Sequence, residues 1–128
     1  MNQYVFVYGT LKAGYHNHIY ISPMVDYVSE AMLNNHKLYY SGSRSSFPVM
    51  QRQVGNKVIG ELYKIIDPEV IEFMDEIEGE GMMYSRSEVK VFSKDIGIHT
   101  ALTYIGMDSF WDFDLLSEVT TDTINIWS

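Results

Sequence analysis

The segment YVFVYGTLKAG, residues 4–14, changes character abruptly at its midpoint. Its first half, Tyr4 to Tyr8, contains only aromatic and β-branched residues, a composition typical of a buried strand. Its second half, Gly9 to Gly14, begins and ends with a glycine, so the backbone can turn sharply and present successive N–H groups. Such a turn can form a concave nest for a carboxylate or a phosphate. It also fits an ordinary loop without a ligand, and this segment alone favours that interpretation, because glycine loops after strands are common.

Composition predicts a single globular domain over residues 1–128. Hydrophobic residues make up 46% of the chain, enough for a substantial core, and cysteine is absent. Without cysteine there is no disulfide, thiolate metal site or Cys nucleophile, which fits a cytoplasmic location. No apolar run approaches the roughly 18 residues of a membrane span, and no signal peptide is evident, so we expect no membrane partner. The net charge of −8 argues against nucleic acid as a partner.

The first half of the chain is predicted to be mainly antiparallel β structure. Asn34-Asn35 tolerates positive φ angles, and we expect it to close a hairpin. Gly55-Asn56 is expected to form a second turn. A short helical or irregular segment is expected at 15–21, before Ser22-Pro23. The strands flanking these turns are expected at residues 26–33, 37–41, 49–53 and 58–66.

The second half is predicted to begin with an amphipathic helix. Asp67 is suited to the N-cap, Pro68 to the first helical position, and Gly79 to the end of the helix. The later segments are expected to be strands at 84–92 and 99–105, a possible helix at 110–119 and an extended tail at 123–127.

Position selects two of the seventeen acidic residues as candidates for acid–base chemistry. Glu78 lies at the end of the predicted helix and precedes a glycine, where apolar neighbours would raise the pKa of a carboxyl group toward neutrality. Glu61, in a predicted strand, is the rival candidate. An exposed acidic helix end and an edge charge are the respective structural alternatives. His16 and His18 are interpreted as polar surface residues rather than a metal site, because i and i+2 do not share a helical face.

Three ordered blocks resemble the γ-glutamylcyclotransferase-like (AIG2-like) superfamily, most closely its small γ-glutamylamine cyclotransferase branch. The blocks span roughly residues 4 to 92, and they are Phe6–Lys12 with Gly14 and Asn17-His18, Gly60–Tyr63, and Met74–Gly79 followed by Tyr84-Ser85-Arg86. This resemblance implies an α+β fold, a small and mainly antiparallel β-barrel with flanking helices. It also implies that the C-terminal segment and the loop at 42–48 border the mouth of the site.

The resemblance further implies a function for named residues. Tyr8, Gly9, Thr10 and Leu11 would bind the α-carboxylate end of a γ-glutamyl group, and Glu78 would be the catalytic acid and base. The substrate's α-amine would attack its own γ-carbonyl, which forms 5-oxoproline and releases an amine or amino acid, with no cofactor or metal. Two further roles are expectations only: Tyr84 as a pocket wall that contacts substrate, and Arg86 as half of a structural ion pair.

Two questions stay open at the level of sequence. The leaving group could be an amino acid, an amine, a lysine in an isopeptide or a carrier. The alternative to an enzyme is a non-catalytic small-carboxylate-binding or interaction protein on the same fold, since fold does not determine function.

Overall fold

The structure, a computed structural model, describes residues 3–42 and 46–128 and consists of a closed β-barrel with helices packed against it. Strands β1, β5, β4, β2 and β3 are neighbours in that order, and β1 also pairs with β3, which closes the barrel. Only the pairing of β1 with β5 in this ring is parallel. The predicted α+β barrel is confirmed. The elements are β1 (Tyr4–Val7), α1 (His18–Ile21), β2 (Val25–Tyr40), β3 (Pro48–Ile65), α2 (Val70–Glu78), β4 (Tyr84–Ser93), β5 (Gly97–Gly106) and β6 (Ile124–Asn125).

Strand β1 is buried on both faces, which accounts for its uninterrupted run of bulky residues. Phe6 and Tyr8 belong to an apolar cluster with residues from all five barrel strands, so they point into the barrel. Val5 and Val7 alternate with them and join a second cluster, which includes Met74 of α2. A strand covered on both sides has no polar face. The glycine turn that follows β1 therefore begins where the barrel packs against α2.

The hairpin predicted at Asn34-Asn35 is wrong. Residues 25–40 form one strand that pairs with β3 along most of its length. The turn signals mark an irregularity instead, because Asn35 (φ 60°) and Gly55 (φ 89°) have left-handed backbone conformations where the register shifts. At this point residues 53–56 bulge out of β3 opposite a single residue of β2. A chain reversal and a bulge place the same demand on φ, and only the partner strand distinguishes them.

Helix α2 begins later than predicted but ends at the predicted residue. Asp67 accepts a hydrogen bond from the Glu69 N–H (3.0 Å), yet regular helix starts only at Val70. Gly79 adopts the left-handed conformation (φ 65°, ψ 49°) that closes many helices. Glu78 is thus the last helical residue, directly before this reversal.

The strands predicted at 84–92 and 99–105 are confirmed as β4 and β5. The helix considered for 110–119 is wrong, since this segment consists of turns tied to β2, for example through Val119 N–H and Leu38 O (3.0 Å). The extended tail is confirmed by β6, which pairs in parallel with β3. Within the described residues no helix is long and apolar enough to cross a membrane.

Candidate active site

A single cavity brings together candidate residues from distant parts of the chain. Its volume is about 210 Å³, which suits a small molecule. Of the loop at 42–48, residues 43–45 lie outside the described residues, while Phe47 and Pro48 contribute to the wall. The described lining consists of Phe6, Val7, Tyr8, Gly9, Thr10, Leu11, His16, Asn17, Phe47, Pro48, Ile77, Glu78, Met83, Tyr84 and Tyr104.

The chain after β1 folds into tight turns beside this cavity. The Lys12 N–H donates to Gly9 O (3.0 Å), and the Asn17 N–H donates to Thr10 O (3.1 Å). The Asn17 side chain also donates to Thr10 Oγ1 (2.8 Å), which holds the two ends of the turn together. Within the described part of the chain, the N–H groups of Thr10 and Leu11 have no acceptor. Both groups are available to an anion at the cavity wall.

Gly9 is needed for close packing rather than for an unusual φ. A Cβ at this position would lie 2.8 Å from Cγ of Pro48, closer than van der Waals contact permits. The φ of Gly9 lies outside the left-handed region. The sharp turn expected after β1 therefore does not depend on a glycine conformation at residue 9. The steric conflict is with Pro48, another residue of the cavity wall.

Glu78 reaches the cavity from the end of α2. Its side chain is half-buried, opens onto the cavity, and accepts no hydrogen bond from the described residues. Burial raises its pKa from 4.5 to about 7, because the surrounding protein solvates the ionised form poorly. A carboxyl group with this pKa is populated in both protonation states near neutral pH.

Glu61, the rival candidate, lies outside the lining of this cavity. Its Oε1 accepts hydrogen bonds from the Ala13 N–H (2.8 Å) and the Tyr63 hydroxyl (3.0 Å). The bond from Ala13 ties strand β3 to the turn after β1, and the bond from Tyr63 lies within β3. Glu61 therefore has a structural role that the alternative of an edge charge did not anticipate.

Three tyrosines form the wall around Glu78, and each hydroxyl already has a protein acceptor. Tyr8 donates to Tyr104 O (2.6 Å), Tyr84 to Pro48 O (2.9 Å), and Tyr104 to Asp75 Oδ1 (2.6 Å). Burial raises the pKa of all three phenols, so they remain neutral. Tyr84 therefore lines the cavity wall, and Tyr8 lines it as well. Contact of either residue with a substrate stays a prediction.

Arg86 forms an ion pair with Asp75, as we expected of a structural role. Both side chains are partly exposed, which limits the contribution of the pair to stability. Asp75 also accepts the Tyr104 hydroxyl, so one carboxylate joins α2, β4 and β5 beside the cavity. No local pattern in the sequence indicates Tyr104, because its partners lie 29 and 96 residues away.

The two histidines of the first loop occupy different environments. His18 is half-buried, with Nδ1 2.8 Å from Leu11 O and its ring against Tyr63. His16 is exposed but borders the cavity. The interpretation of both as surface residues is therefore wrong for His18 and incomplete for His16. Within the described residues, no three His, Asp or Glu side chains are grouped as a metal site.

Trp111 is a further residue that sequence reasoning missed. Its Nε1 donates to Met83 O (2.9 Å), and its ring lies edge-on to Phe47 at 6.0 Å between centroids. Met83 and Phe47 belong to different loops and both line the cavity, so Trp111 connects two parts of the cavity wall. A tryptophan in an irregular segment gives no local indication of this role.

Comparison with known proteins agrees with this architecture. The structure is similar to a mouse (Mus musculus) AIG2-like protein, with a TM-score of 0.76 and 21% identity over 94% of this chain and 88% of that chain. It is also similar to a structure described as gamma-glutamyl cyclotransferase (TM-score 0.67, 22% identity, 84% and 68% coverage). A third, an uncharacterized protein from Pyrococcus horikoshii, has a TM-score of 0.64 and 27% identity over 81% and 77% of the respective chains.

No curated protein matched this chain. The model of one protein family does match it, over residues 5–118, which covers the barrel, α2 and the turns that follow β5. The matched region includes every described residue of the cavity lining. This chain therefore belongs to the family described as gamma-glutamyl cyclotransferase, AIG2-like.

Proposed function

We propose that this protein cyclises a γ-glutamyl group to 5-oxoproline and releases an amine or an amino acid, with Glu78 as the general acid and base. The observation that carries the proposal is the position of Glu78, a carboxyl group with a pKa of about 7, in one cavity with the free N–H groups of Thr10 and Leu11. The free N–H groups suit the substrate α-carboxylate, and the carboxyl group suits proton transfer at its α-amine.

The chemistry needs little beyond positioning and proton transfer, because nucleophile and electrophile belong to one molecule. The ionised Glu78 takes a proton from the α-ammonium group. The neutral amine attacks the γ-carbonyl carbon, forming the new C–N bond. Glu78 returns this proton to the leaving nitrogen as the old C–N bond breaks. The ring nitrogen then loses a second proton through Glu78 to the released amine, which leaves as an ammonium ion, so 5-oxoproline keeps one N–H and Glu78 is ionised again. In this scheme the buried phenols of Tyr8 and Tyr84 shape the cavity and cover part of the carboxylate.

The test is a panel of γ-glutamyl amino acids, γ-glutamylamines and a γ-glutamyl-lysine isopeptide, with 5-oxoproline as the measured product. We expect at least one compound to be cyclised, and Glu78→Gln to lower the rate by ~10²–10⁴ because Gln cannot carry the proton. Glu61→Gln is the matched control, since it removes a carboxylate outside the cavity.

Two results would contradict this assignment. Activity that survives Glu78→Gln but is lost in Glu61→Gln would move the acid–base role to Glu61. Binding of 5-oxoproline without cyclisation of any compound would favour the non-catalytic carboxylate-binding alternative.

A further inference from the structure

The described lining of the cavity contains one side chain that can become positively charged, and it is His16. It contains no lysine or arginine. Lys12, on the same loop, donates its ammonium group to Trp127 O and packs against the Tyr15 and Trp127 rings. Arg86 is paired with Asp75. The cavity wall thus has a carboxylate, Glu78, but no permanent cation among the described residues.

His16 is also the histidine whose ring has no hydrogen-bond partner in the part of the chain that the structure describes. The chain has four histidines. His18, His36 and His99 each have a ring nitrogen within 2.8 Å of a backbone carbonyl oxygen. Among the described residues, none forms a hydrogen bond with the His16 ring. Its two nitrogens are therefore free to bind a ligand.

The backbone holds His16 close to the nest, which is formed by the N–H groups of Thr10 and Leu11. The next residue, Asn17, is hydrogen-bonded to Thr10 through both its N–H and its side chain. Thr10 and Leu11 supply the free N–H groups of the nest. A carboxylate in the nest would consequently lie next to the His16 segment rather than at the apolar wall of Ile77 and Met83.

A positive charge on His16 would favour the binding of an anionic ligand to this acidic protein. The protein carries a net charge of −8, and an ionised Glu78 adds a local negative charge, so an anionic ligand is repelled as it approaches. Backbone N–H groups offer only partial positive charges. An imidazolium at the mouth would offset this repulsion and add a charge-assisted hydrogen bond.

We propose that His16, in its protonated form, binds the α-carboxylate of the γ-glutamyl group and makes its affinity depend on pH. This inference rests on the proposed function for the identity of the ligand. His16 acts on binding only, and Glu78 remains the group that transfers protons.

The test must separate His16 from the other titratable groups that line the cavity, which are Glu78 on α2 and the phenols of Tyr8, Tyr84 and Tyr104. The phenols stay neutral between pH 5.5 and 8.5, because burial raises their pKa values above the ordinary 10. Glu78 does titrate in this range. Binding is therefore measured by calorimetry in the Glu78→Gln variant, which removes that titration.

Two ligands serve as probes and differ only in the charge of the α-carboxylate. 5-Oxoproline has the carboxylate, and 5-oxoprolinamide is its neutral amide. In Glu78→Gln we expect 5-oxoproline to bind about threefold to tenfold more tightly at pH 5.5 than at pH 8.5, and the amide to show no change. Adding His16→Gln should abolish the difference. His16→Lys should keep tight binding at pH 8.5. His99→Gln is the matched control, because His99 lies in β5 outside the described lining of the cavity, and it should change nothing.

The inference is overturned if the pH dependence persists without His16, if the amide shares it, or if neither ligand binds. A readout with the catalytically competent protein separates this inference from the proposed function. His16→Gln should raise KM for a cyclised compound at pH 6 without lowering kcat. Cyclisation with an unchanged KM in His16→Gln would refute the binding role of His16 and leave the enzyme proposal intact. Binding that depends on His16, without cyclisation of any compound, would support the role of His16 and contradict the enzyme proposal.

Discussion

Replacing Glu78 with Gln should stabilise the protein at pH 8 while it destroys cyclisation. The pKa of Glu78 is about 7 in the folded protein, against an ordinary value of 4.5. The folded state therefore binds the proton more tightly than the unfolded state, and stability is lost as pH rises from about 4.5 through 7. At about 1.4 kcal/mol per pH unit, the ionised carboxylate costs up to about 3 kcal/mol above pH 8.

Water in the cavity screens this carboxylate, so we expect a gain of about 1–3 kcal/mol in the free energy of unfolding for Glu78→Gln at pH 8. Urea denaturation at pH 8 and pH 5.5 measures it. The advantage over wild type should shrink by more than half at pH 5.5, where Glu78 is mostly protonated in the folded protein. Glu76→Gln is the control, because Glu76 is exposed on the same helix.

A variant no more stable than wild type at pH 8 would refute the argument that burial raises the pKa of Glu78. A stability gain of Glu78→Gln over wild type that is equal at pH 8 and pH 5.5 would also refute this argument. The 5-oxoproline assay on the same preparations tests the second half of the prediction, since activity should fall by ~10²–10⁴ in Glu78→Gln and stay near wild type in Glu76→Gln.

The remaining predictions concern the nest, the pH profile and the wall of the cavity. Gly9→Val should abolish 5-oxoproline binding because its side chain meets Pro48, whereas Thr10→Ala should weaken binding only slightly; equal losses in two proteins with native circular dichroism would count against a backbone nest. The kcat for cyclisation should rise with pH through about 7 as Glu78 ionises, and a profile that is flat from pH 5.5 to 8.5 would exclude Glu78 as the base. Trp111→Phe, which removes a hydrogen bond of 2.9 Å to the loop after α2, should cost about 1 kcal/mol in stability and raise KM more than it lowers kcat; an unchanged KM would show that Trp111 does not position the wall.

Several local features were predictable because their cause is local. The apolar run of β1 and the glycine that follows it are adjacent in the chain, and Gly79 ends α2 through its own left-handed conformation. The position of Glu78 at that helix end follows from the same pattern. The raised pKa of Glu78 was also predicted from apolar neighbours, but distant segments supply those neighbours, among them Tyr8 and Tyr84.

The mistaken predictions share one origin, which is that a local sequence pattern does not specify the strand with which a segment pairs. Asn35 and Gly55 do adopt positive φ, yet they lie in a bulge between two long strands rather than at chain reversals. The segment at 110–119 has enough apolar residues for a helix, but its hydrogen-bonding groups pair with β2 instead. Tertiary pairing overrides local preference in both cases.

The sequence by itself determined which residues form the first strand, the glycine turn and the carboxylate at the helix end, because residues a few positions apart control each of these. Only the tertiary structure decided what surrounds them: Pro48 against Gly9, Tyr104 bonded to a carboxylate 29 residues away, and His16 rather than Lys12 at the cavity. The physical reason is that barrel closure joins β1 to β3 and β5, so the cavity is made of contacts between residues up to 96 positions apart, and no local pattern encodes such contacts.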